Sequence, residues 1–425
     1  MTFTFLGAYD PDYPRNAVIR KGLRQLDARV VECRASRKFK FWARYPLLFL
    51  KLLLKVPRRS SAAPPRGLSG PGRNAGPRIL FVPEFGQKDV PLARFWGLLT
   101  AGKVVFDPLA ARYETKIVDW KRKPADSPSA WWNLQIDRAA FAGADLVLAD
   151  TAAHKAYYCQ MYGLDQKKVE VLPLGYDDDV FRPRAGRAPG PAFEVLFTGS
   201  FLPLHGTDVI IDAARIVAGR DSSVRFTLVG SGQTHEAARR LVRGHGLRNV
   251  EFAGRLPMKE LPSRIAAADI SLGIFGRTEK AGRVVPHKLF QALGMGKAVI
   301  TARTPAAEEF FVHREHLLFC EEPRAESLAA AILELKSDAA LRGRIARNGQ
   351  ALVAEKYSPR ATAARLLEIV EKHFGESRHP ERSEGSPLPA DFLEEIPRKT
   401  RDDPKGRIAS LPPVARNDIV TVARP

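Results

Sequence analysis

Short apolar runs that alternate with helical patterns constrain the fold of this 425-residue chain more than any other feature. In the second half the runs cover 194–198, 224–229, 250–253, 269–274 and 298–301, and residues with helical spacing of apolar positions lie between them. Repeated strand–helix units whose strands are apolar imply a parallel sheet with helices on both faces. The sequence therefore predicts an α/β fold with a doubly wound sheet.

The first half shows the same alternation less regularly, and the two halves together predict two domains. A chain of this length with 45% hydrophobic residues can bury two cores. The stretch 182–191 holds three prolines and two glycines, which indicates a domain boundary. We expect an N-terminal Rossmann-like domain over 1–185, a C-terminal one over 190–358 and a closing helix over 359–375. The strands predicted for the first half are 2–7, 30–33, 78–82, 104–106, 144–151 and 169–176.

Three further segments stand out by composition. Residues 38–59 interleave basic and large apolar side chains, but their apolar runs are too short for a membrane-spanning helix, which needs about 20 such residues. This segment is either a helix in a membrane interface or a core helix with a basic exposed face. Residues 60–77 are rich in Gly, Pro and Ser and predict a flexible loop, and residues 376–425 predict a disordered tail.

The net charge of +20 indicates an anionic partner, which is nucleic acid, a membrane surface or an anionic substrate. The sequence has no zinc-ligand pattern, RNP-type aromatic motif or basic heptad helix, so nucleic acid is not expected. Three widely spaced cysteines favour neither a disulfide framework nor a zinc site. The first residues lack a secretion signal. We expect a cytoplasmic protein, with peripheral association at the inner face of the membrane as an open possibility.

A glycine-framed turn follows the first strand of the second half. Gly199 and Gly206 bracket it, and Thr207 can cap the helix that follows. Free backbone N–H groups and the helix dipole favour an anion at such a place. Because the carboxyl ends of parallel strands meet at one edge, other loops should join this turn. These loops contain Gly230 and Gly232, Gly254 and Arg255, and Phe275 and Gly276.

The residues 195–217, 228–232, 250–256, 268–269 and 286–300 resemble, in that order, the donor-binding half of family-4 glycosyltransferases, the glycosyl transferases group 1. The resemblance implies a GT-B fold, in which two Rossmann-like domains face each other across a cleft. It also implies that the second domain holds a nucleotide sugar and that transfer retains the anomeric configuration. It further implies that no metal or other cofactor is needed.

The chain departs from the family at the phosphate turn. Ser200 and His205 stand where relatives commonly have arginine and lysine, which removes fixed cations from the site. We expect His205 to donate a hydrogen bond to the diphosphate, which would raise its pKa, although a structural role is the alternative. The sequence from Pro286 to Lys288 resembles a variant of the family in which lysine at a helix start faces the phosphates. Lys288 is therefore expected to compensate for the missing cations.

The acidic pair of many relatives is also absent, since Arg283 and Gln291 occupy its positions. The resemblance implies that Gln291 binds the ribose hydroxyls. Arg283 either binds phosphate or the transferred sugar, or is solvated. The turn at Arg255 and Leu256 corresponds to the one that reads the base, with Arg255 either stacked on the base or simply exposed.

Asp107 ends a strand where many relatives have a histidine near the reacting sugar. As a carboxylate it could accept a proton from the acceptor hydroxyl or stabilise the cationic transition state. The alternative is that it caps the following turn. The leaving phosphate itself is thought to act as base in retaining transfer of this type.

The loop with Gly7 is expected to face the donor or acceptor from the first domain. The predicted catalytic residues are Asp107, His205 and Lys288, the predicted donor-binding residues are Gly7, Gly199, Ser200, Gly206, Gly230, Gly232, Arg255, Leu256, Arg283, Pro286, His287 and Gln291, and no metal ligand is predicted.

The resulting interpretation is a glycosyltransferase that moves a sugar from a nucleotide-diphosphate donor to a glycan or lipid-linked acceptor of the cell envelope. Three alternatives remain open at this point. One is a sugar-nucleotide epimerase of the same architecture, which more acidic and histidine residues in the cleft would favour. The others are a non-catalytic nucleotide-binding relative and a basic nucleic-acid-binding protein.

Overall fold

The computed structural model contains two parallel six-stranded sheets with interleaved helices. It describes residues 1–36, 38–39, 41–56, 77–184, 192–321 and 323–375. The predicted tail over 376–425 lies outside the described residues, as does nearly all of the predicted flexible loop over 60–77. The predicted domain limits remain a prediction, because the described part of the chain forms one compact unit.

The first sheet has the strand order β2-β1-β3-β4-β5-β6, and all its neighbouring strands are parallel. Each of the six strands predicted for the first half is present, although the last two are shorter than predicted. Parallel strands that follow each other in the chain must be joined by crossover connections, and the intervening helices supply them. The strands are β1 (Thr2–Gly7), β2 (Arg29–Arg34), β3 (Arg78–Val82), β4 (Lys103–Phe106), β5 (Leu146–Ala149) and β6 (Val169–Val171).

The second sheet has the order β12-β11-β10-β7-β8-β9 and is also parallel throughout. All five strands predicted for the second half are present, and the short sixth strand β12 was not predicted. The predicted α/β class with parallel sheets is thus confirmed. The strands are β7 (Phe193–Gly199), β8 (Val224–Gly230), β9 (Val250–Gly254), β10 (Ile270–Leu272), β11 (Ala298–Ala302) and β12 (Leu318–Cys320).

Thirteen α-helices cover the described parts of the two sheets. They are α1 (Pro14–Gln25), α2 (Phe41–Lys55), α3 (Val90–Thr100), α4 (Pro128–Gly143), α5 (Ala152–Tyr162), α6 (Thr207–Ala218), α7 (His235–Gly244), α8 (Leu261–Ala267), α9 (His287–Gly294), α10 (Pro305–Glu308), α11 (Ala325–Ser337), α12 (Ala339–Lys356) and α13 (Pro359–Phe374). Glu114–Asp119 form a π-helical turn, and Gln166–Lys168 and Pro203–His205 form 3-10 turns.

Strand β7 shows how one strand contributes to two cores. Val195 and Phe197 belong to the cluster on one face of the second sheet, and Leu196 belongs to the cluster on the other face. This follows from the two-residue period of a strand. Burial of each such side chain contributes about 1.5–3 kcal/mol to the free energy of folding, so β7 is a central element of the second sheet.

The closing helix α13 packs on the first sheet, although it follows the second sheet in the chain. Its Leu366 and Ile369 share a buried cluster with Phe3 and Phe5 of β1. The helix begins at Pro359, and the Ser358 hydroxyl accepts the N–H of Ala361 at 3.3 Å, as expected of an N-cap. The last described helix thus completes the hydrophobic core that contains the first strand.

Helix α2 accounts for most of the basic and apolar segment over 38–59. Leu48 and Leu52 are buried, whereas Leu50 and Leu54 are 51% and 76% exposed. The helix therefore has a core face and a second apolar face that is open to solvent. Within the ranges that the structure describes, no helix is both long and apolar enough to span a membrane.

Candidate functional site

A cavity of about 380 Å³ lies where the carboxyl ends of the two sheets face each other. Loops that follow β1, β3, β4, β5 and β6 line it on one side, and loops that follow β7, β9 and β10 line it on the other. Ligands of open parallel sheets bind at this edge, so the cavity is the candidate site. The predicted residues that line it are Gly199, Ser200, His205, Pro286, His287 and Lys288.

The turn after β7 brings three of the predicted residues together. A Cβ atom on Gly199 would lie 2.9 Å from both the Lys288 Nζ and the His205 Cε1. A side chain at residue 199 would therefore displace the ends of these two side chains. The 3-10 turn Pro203–His205 then leads to Gly206, from which α6 starts.

Lys288 places a buried amine at this turn without a carboxylate partner among the described residues. Its Nζ donates to the Gly273 carbonyl at 3.3 Å and lies 3.9 Å from the centroid of the Phe197 ring. Burial lowers the pKa of Lys288 well below its usual value. An anion beside Nζ would reverse this shift, because an opposite charge favours the ammonium form. The arrangement suits an anionic group at Gly199.

His205 is neutral and is oriented by its own turn. Its Nδ1 accepts the backbone N–H of Leu202 at 3.3 Å, so the ring proton lies on Nε2. Burial and the neighbouring charge of Lys288 lower the pKa of His205 well below its usual value. The predicted hydrogen-bond donor is therefore available as a neutral ring, and no protonation is needed for it.

Gly206 has a φ of +61°, and a Cβ atom there would lie 2.3 Å from the carbonyl carbon of Phe275. The substitution Gly163→Ala provides a control, because Gly163 has a φ of +63° and a Cβ atom there would meet no other atom within 4 Å. We expect Gly163→Ala to lower the free energy of unfolding by about 1–2 kcal/mol through backbone strain alone. Gly206→Ala should lower it further, because the loop at Phe275 must move. Urea denaturation measures both, and equal losses would contradict the close contact.

His287 follows Pro286 at the start of α9 and contacts the first half of the chain. Its Nδ1 donates to the Gly175 carbonyl at 3.2 Å, and its buried Nε2 has no hydrogen-bond partner. Burial is the main cause that lowers the pKa of His287 to about 4. The ring therefore presents an unprotonated nitrogen that can accept a hydroxyl proton in a hydrogen bond. Gln291, one turn later on α9, is 5% exposed and does not line the cavity.

Asp107 does not reach the cavity surface. It is fully buried, and its Oδ2 accepts from Arg15 Nε at 2.5 Å. Arg15 also donates to the Leu172 carbonyl at 3.1 Å, which joins the loops after β4 and β6 to α1. The second oxygen, Oδ1, is buried without a hydrogen-bond partner. The geometry favours a positioning role, and the predicted contact with the reacting sugar remains a prediction.

The remaining predicted glycines pack against other backbone segments. Gly230 and Gly232 lie against the carbonyl groups of Gly199 and Ser200, so the loop after β8 supports the turn after β7. Gly7, with a φ of +136°, lies against the Asp89 carboxylate, which accepts the N–H of Ala8 at 2.9 Å. These three glycines do not line the cavity.

Arg255 and Leu256 lie at the same sheet edge but outside the cavity lining. The side chain of Arg255 is exposed, and Leu256 packs partly against the buried cluster that contains Leu196. Exposure of the Arg255 side chain agrees with both alternatives for this residue. Stacking on a base remains a prediction.

Arg283 belongs to an ion-pair network that joins the two halves. Its Nε lies 3.3 Å from the Glu114 carboxylate, and its guanidinium carbon lies 4.2 Å from the centroid of the Tyr157 ring. Lys280 lies 3.6 Å from the same carboxylate. His154 Nε2 completes the set at 3.2 Å. Of the alternatives for Arg283, a solvated side chain is not what the structure shows, since these partners bury most of it, and binding of phosphate or sugar stays a prediction.

The charges in this network shift two pKa values in opposite directions. Burial alone would raise the pKa of Glu114, but the charges of His154, Lys280 and Arg283 bring it down to about 2. Burial alone would lower the pKa of His154, but Asp150 and Glu114 raise it to about 9. At neutral pH both groups are charged, so the network holds its ion pairs.

The raised pKa of His154 predicts a pH dependence of stability. A group whose pKa is raised by folding contributes fully below its unfolded value, near 6.5, and loses this contribution as the pH rises through about 9. We expect the midpoint of urea denaturation to fall between pH 6.5 and pH 9. The variant His154→Gln should lack this fall. Parallel pH profiles of the two proteins would contradict the predicted charge.

Several residues of the cavity were not predicted. Lys280 lines it and donates to the Thr115 hydroxyl at 2.6 Å, and Trp120 lines it from the end of the π-helical turn. Tyr13 and Phe85 contribute aromatic rings whose centroids lie 5.8 Å apart. No sequence signal distinguishes them, because Lys280 lies among other charged residues and the rings follow no periodic pattern.

One group of carboxylates could hold a cation by its spacing. Asp177, Asp178 and Asp179 lie close together, but the amine of Lys21 forms ion pairs with all three at 2.5–2.8 Å. The charge of this group is thus partly balanced within the chain. It lies outside the residues that line the candidate site.

Comparisons with known proteins agree with this architecture. Residues 210–368 match a family model described as Glycosyl transferase-like. A D-inositol 3-phosphate glycosyltransferase of Thermomonospora curvata is 26% identical over 267 residues, which cover 57% of this chain and 61% of the relative. Mannosylfructose-phosphate synthase of Agrobacterium fabrum is 24% identical over 255 residues, which cover 56% and 55%. The matched part of the chain thus spans somewhat more than half the length of these relatives, and its similarity is to glycosyltransferases.

Solved structures extend the similarity to both halves. Sucrose-phosphate synthase from Thermosynechococcus elongatus superposes with a TM-score of 0.65 at 16% identity, covering 89% of this chain and 100% of its own. Anabaena HepE in complex with UDP-glucose gives a TM-score of 0.63 at 16% identity, covering 88% and 100%. Identity at this level supports the fold alone. The expected GT-B fold is confirmed, and the assignment to family 4 remains a prediction.

Proposed function

We propose that the protein is a retaining glycosyltransferase that moves a sugar from a nucleotide-diphosphate donor to a glycan or lipid-linked acceptor, without a metal. The buried amine of Lys288 beside Gly199 is the observation that carries this proposal. It lies at the edge of the sheet where nucleotide ligands bind in such folds. A cation without a carboxylate partner among the described residues, at such an edge, is suited to a diphosphate.

The chemistry requires stabilisation of a leaving group. As the bond between the sugar and the diphosphate breaks, negative charge develops on the phosphate oxygens. The Lys288 ammonium and the Nε2–H of His205 are placed to meet this charge. Because both side chains are fixed by their own turn and by burial, little reorganisation is needed when the bond breaks.

The proton of the acceptor hydroxyl needs a base. In the proposed retaining transfer, a phosphate oxygen of the leaving group takes that proton. His287 lines the same cavity, and its unprotonated Nε2, which is buried without a hydrogen-bond partner, would orient a hydroxyl group by accepting its hydrogen bond. Asp107 would act through Arg15, which holds the loops of the first sheet in place.

The acceptor side is proposed to face an anionic membrane surface. Exposed leucines of α2 stand beside Lys51 and Lys55, which gives apolar contact and positive charge on one element. Co-sedimentation with anionic vesicles that weakens with salt is the expected result. Absence of binding at low salt would argue against this docking.

A binding screen followed by a transfer assay tests the proposed function. UDP, GDP, ADP and dTDP are compared by thermal shift, with UDP first because the similar HepE structure holds UDP-glucose. A nucleotide at a hundredfold excess over its dissociation constant stabilises the folded state by about 2.7 kcal/mol. One nucleotide should raise the midpoint, and its sugar conjugates should then support transfer or slow hydrolysis in the presence of EDTA. Transfer that requires a metal would contradict the proposal.

The same experiment distinguishes the proposed enzyme from the main alternative. A non-catalytic nucleotide-binding relative would show the thermal shift but neither transfer nor hydrolysis of any donor. Ser200 at the phosphate turn, where many relatives have arginine, is the feature that favours this alternative. Product formation excludes it.

A further inference from the structure

A second cavity, of about 470 Å³, opens at the edge of the first sheet, away from the donor site. Four parts of the chain form it: the loop after β1, the end of β2, the connection between β2 and α2, and helix α2 itself. Its volume falls within the range of about 300–1,000 Å³ that is usual for small-molecule sites. None of the residues that line it lines the candidate donor site.

Positive charge dominates the lining of this second cavity. Arg34, Lys38 and Lys51 contribute three cations, and Asp10 contributes one carboxylate. The nearby Glu32 does not balance them, because it forms ion pairs with Arg20 at 2.5 Å and with Arg24. Among the described residues, no carboxylate forms an ion pair with the three lining cations.

One of the three cations, Lys51, has a fixed position relative to the cavity. Lys51 Nζ donates to the Arg34 carbonyl at 2.7 Å, which pins α2 to the end of the edge strand β2. Lys55, one turn later, donates to the Glu32 carbonyl at 3.0 Å. Arg34 is the last residue of β2 and its side chain is exposed. The cavity is therefore a built feature and not a chance gap between loops.

An apolar surface continues from the cavity. Leu47 and Phe39 line it, and Phe39 is 50% exposed. Beyond them lie the exposed leucines of α2. Phe49 connects α2 to Phe95 of α3, with ring centroids 6.4 Å apart. The exposed apolar residues of this surface, which we call the α2–α3 face, are Leu50, Leu53, Leu54, Phe95, Leu98 and Leu99.

We infer that the second cavity binds the phosphate of a lipid whose hydrocarbon chain lies along the α2–α3 face. The cations meet the charge of the phosphate, and the exposed leucines remove the chain from water. Free phosphate would use only the cations, and an uncharged lipid would use only the leucines. This inference rests on the proposed function, because it makes the acceptor a hydroxyl-bearing group that is linked to a lipid through a phosphate bound beside the first sheet.

The position of the cavity relates the acceptor to the donor site. Tyr9, Asp10 and Pro11 of the loop after β1 line the second cavity, and Tyr13, at the end of the same loop, lines the donor cavity. A lipid phosphate held at Arg34 would present its head group along this loop. The loop after β1 thus connects the two sites.

Isothermal titration calorimetry with farnesyl phosphate, farnesol and inorganic phosphate tests the inference. Farnesyl phosphate, used below its aggregation concentration, should bind at least about tenfold more tightly than either of the other two. The double variant Arg34→Gln/Lys38→Gln should weaken its binding by at least about tenfold, since each cation near a lipid phosphate contributes roughly a factor of five. Leu50→Ser/Leu54→Ser should weaken it as well.

Arg240→Gln/Arg243→Gln is the matched control, because it removes two exposed cations from α7 on the second sheet. It should leave farnesyl phosphate binding unchanged. Equal binding of inorganic phosphate or farnesol, full binding by the Arg34 variant, or an equal loss in the control would overturn the inference. The thermal shift by UDP is measured on each variant. If it is retained while lipid binding fails, the donor assignment stands and only this inference falls.

Discussion

Replacing Lys288 by methionine is expected to lower kcat/KM for the nucleotide-sugar donor by about 10²–10³, the usual effect of losing one donor to a developing charge. Methionine keeps the length and apolar contacts of the stem but removes the amine that lies 3.9 Å from the centroid of the Phe197 ring. The fold should persist, because the change also removes the cost of burying an amine. Initial rates with the donor identified in the nucleotide screen measure the effect.

The control for this variant is Lys259→Met, which removes an exposed lysine from the turn before α8. It should change kcat/KM less than twofold. Binding of the free nucleotide distinguishes the role of Lys288 further, since a purely structural residue would affect the midpoint of denaturation and not nucleotide affinity. Unchanged kcat/KM in Lys288→Met would remove the amine from the mechanism.

Strands such as β5 (Leu146–Ala149) and β11 (Ala298–Ala302) could be predicted because each is a short, mainly apolar run that is buried on both faces. Strand β12 could not, since Leu318–Cys320 is only three residues long and follows no clear turn signal. Helix α12 was also missed. It buries Leu341, Ile345, Gly349 and Val353 at four-residue spacing, but one of these is glycine and most residues between them are polar or small, so the apolar pattern is weak.

The site could be predicted where it depends on a single sheet edge. Gly199 ends β7, His205 lies in the turn after it, and Lys288 lies at the start of the helix that follows β10. The rule for parallel sheets brings these positions to one edge. The ion pairs of Arg283 and Asp107 could not be predicted, for another reason. Their partners, Glu114 and Arg15, lie 169 and 92 residues away in the chain, and no local pattern encodes such pairs.

Replacing Glu114 by glutamine is expected to lower the free energy of unfolding by about 3–5 kcal/mol, as is usual when one partner of a buried ion pair is removed. Glu114 is fully buried, and its carboxylate is shared by His154, Lys280 and Arg283. Glutamine preserves the shape but leaves these cations without their common counter-charge. Urea denaturation at pH 7 measures the loss.

The exposed partner of the same arginine provides the control. Glu279 lies 3.2 Å from Arg283 and is 78% exposed, so Glu279→Gln should cost less than about 1 kcal/mol. The contrast separates burial from charge, because both variants remove one carboxylate from Arg283. Lys280 and Arg283 follow β10, whereas Glu114 and His154 belong to the first half, so the network ties the two walls of the donor cavity together. Equal losses of unfolding free energy in the two variants would show that the buried carboxylate of Glu114 contributes no more to holding these walls than the exposed one of Glu279.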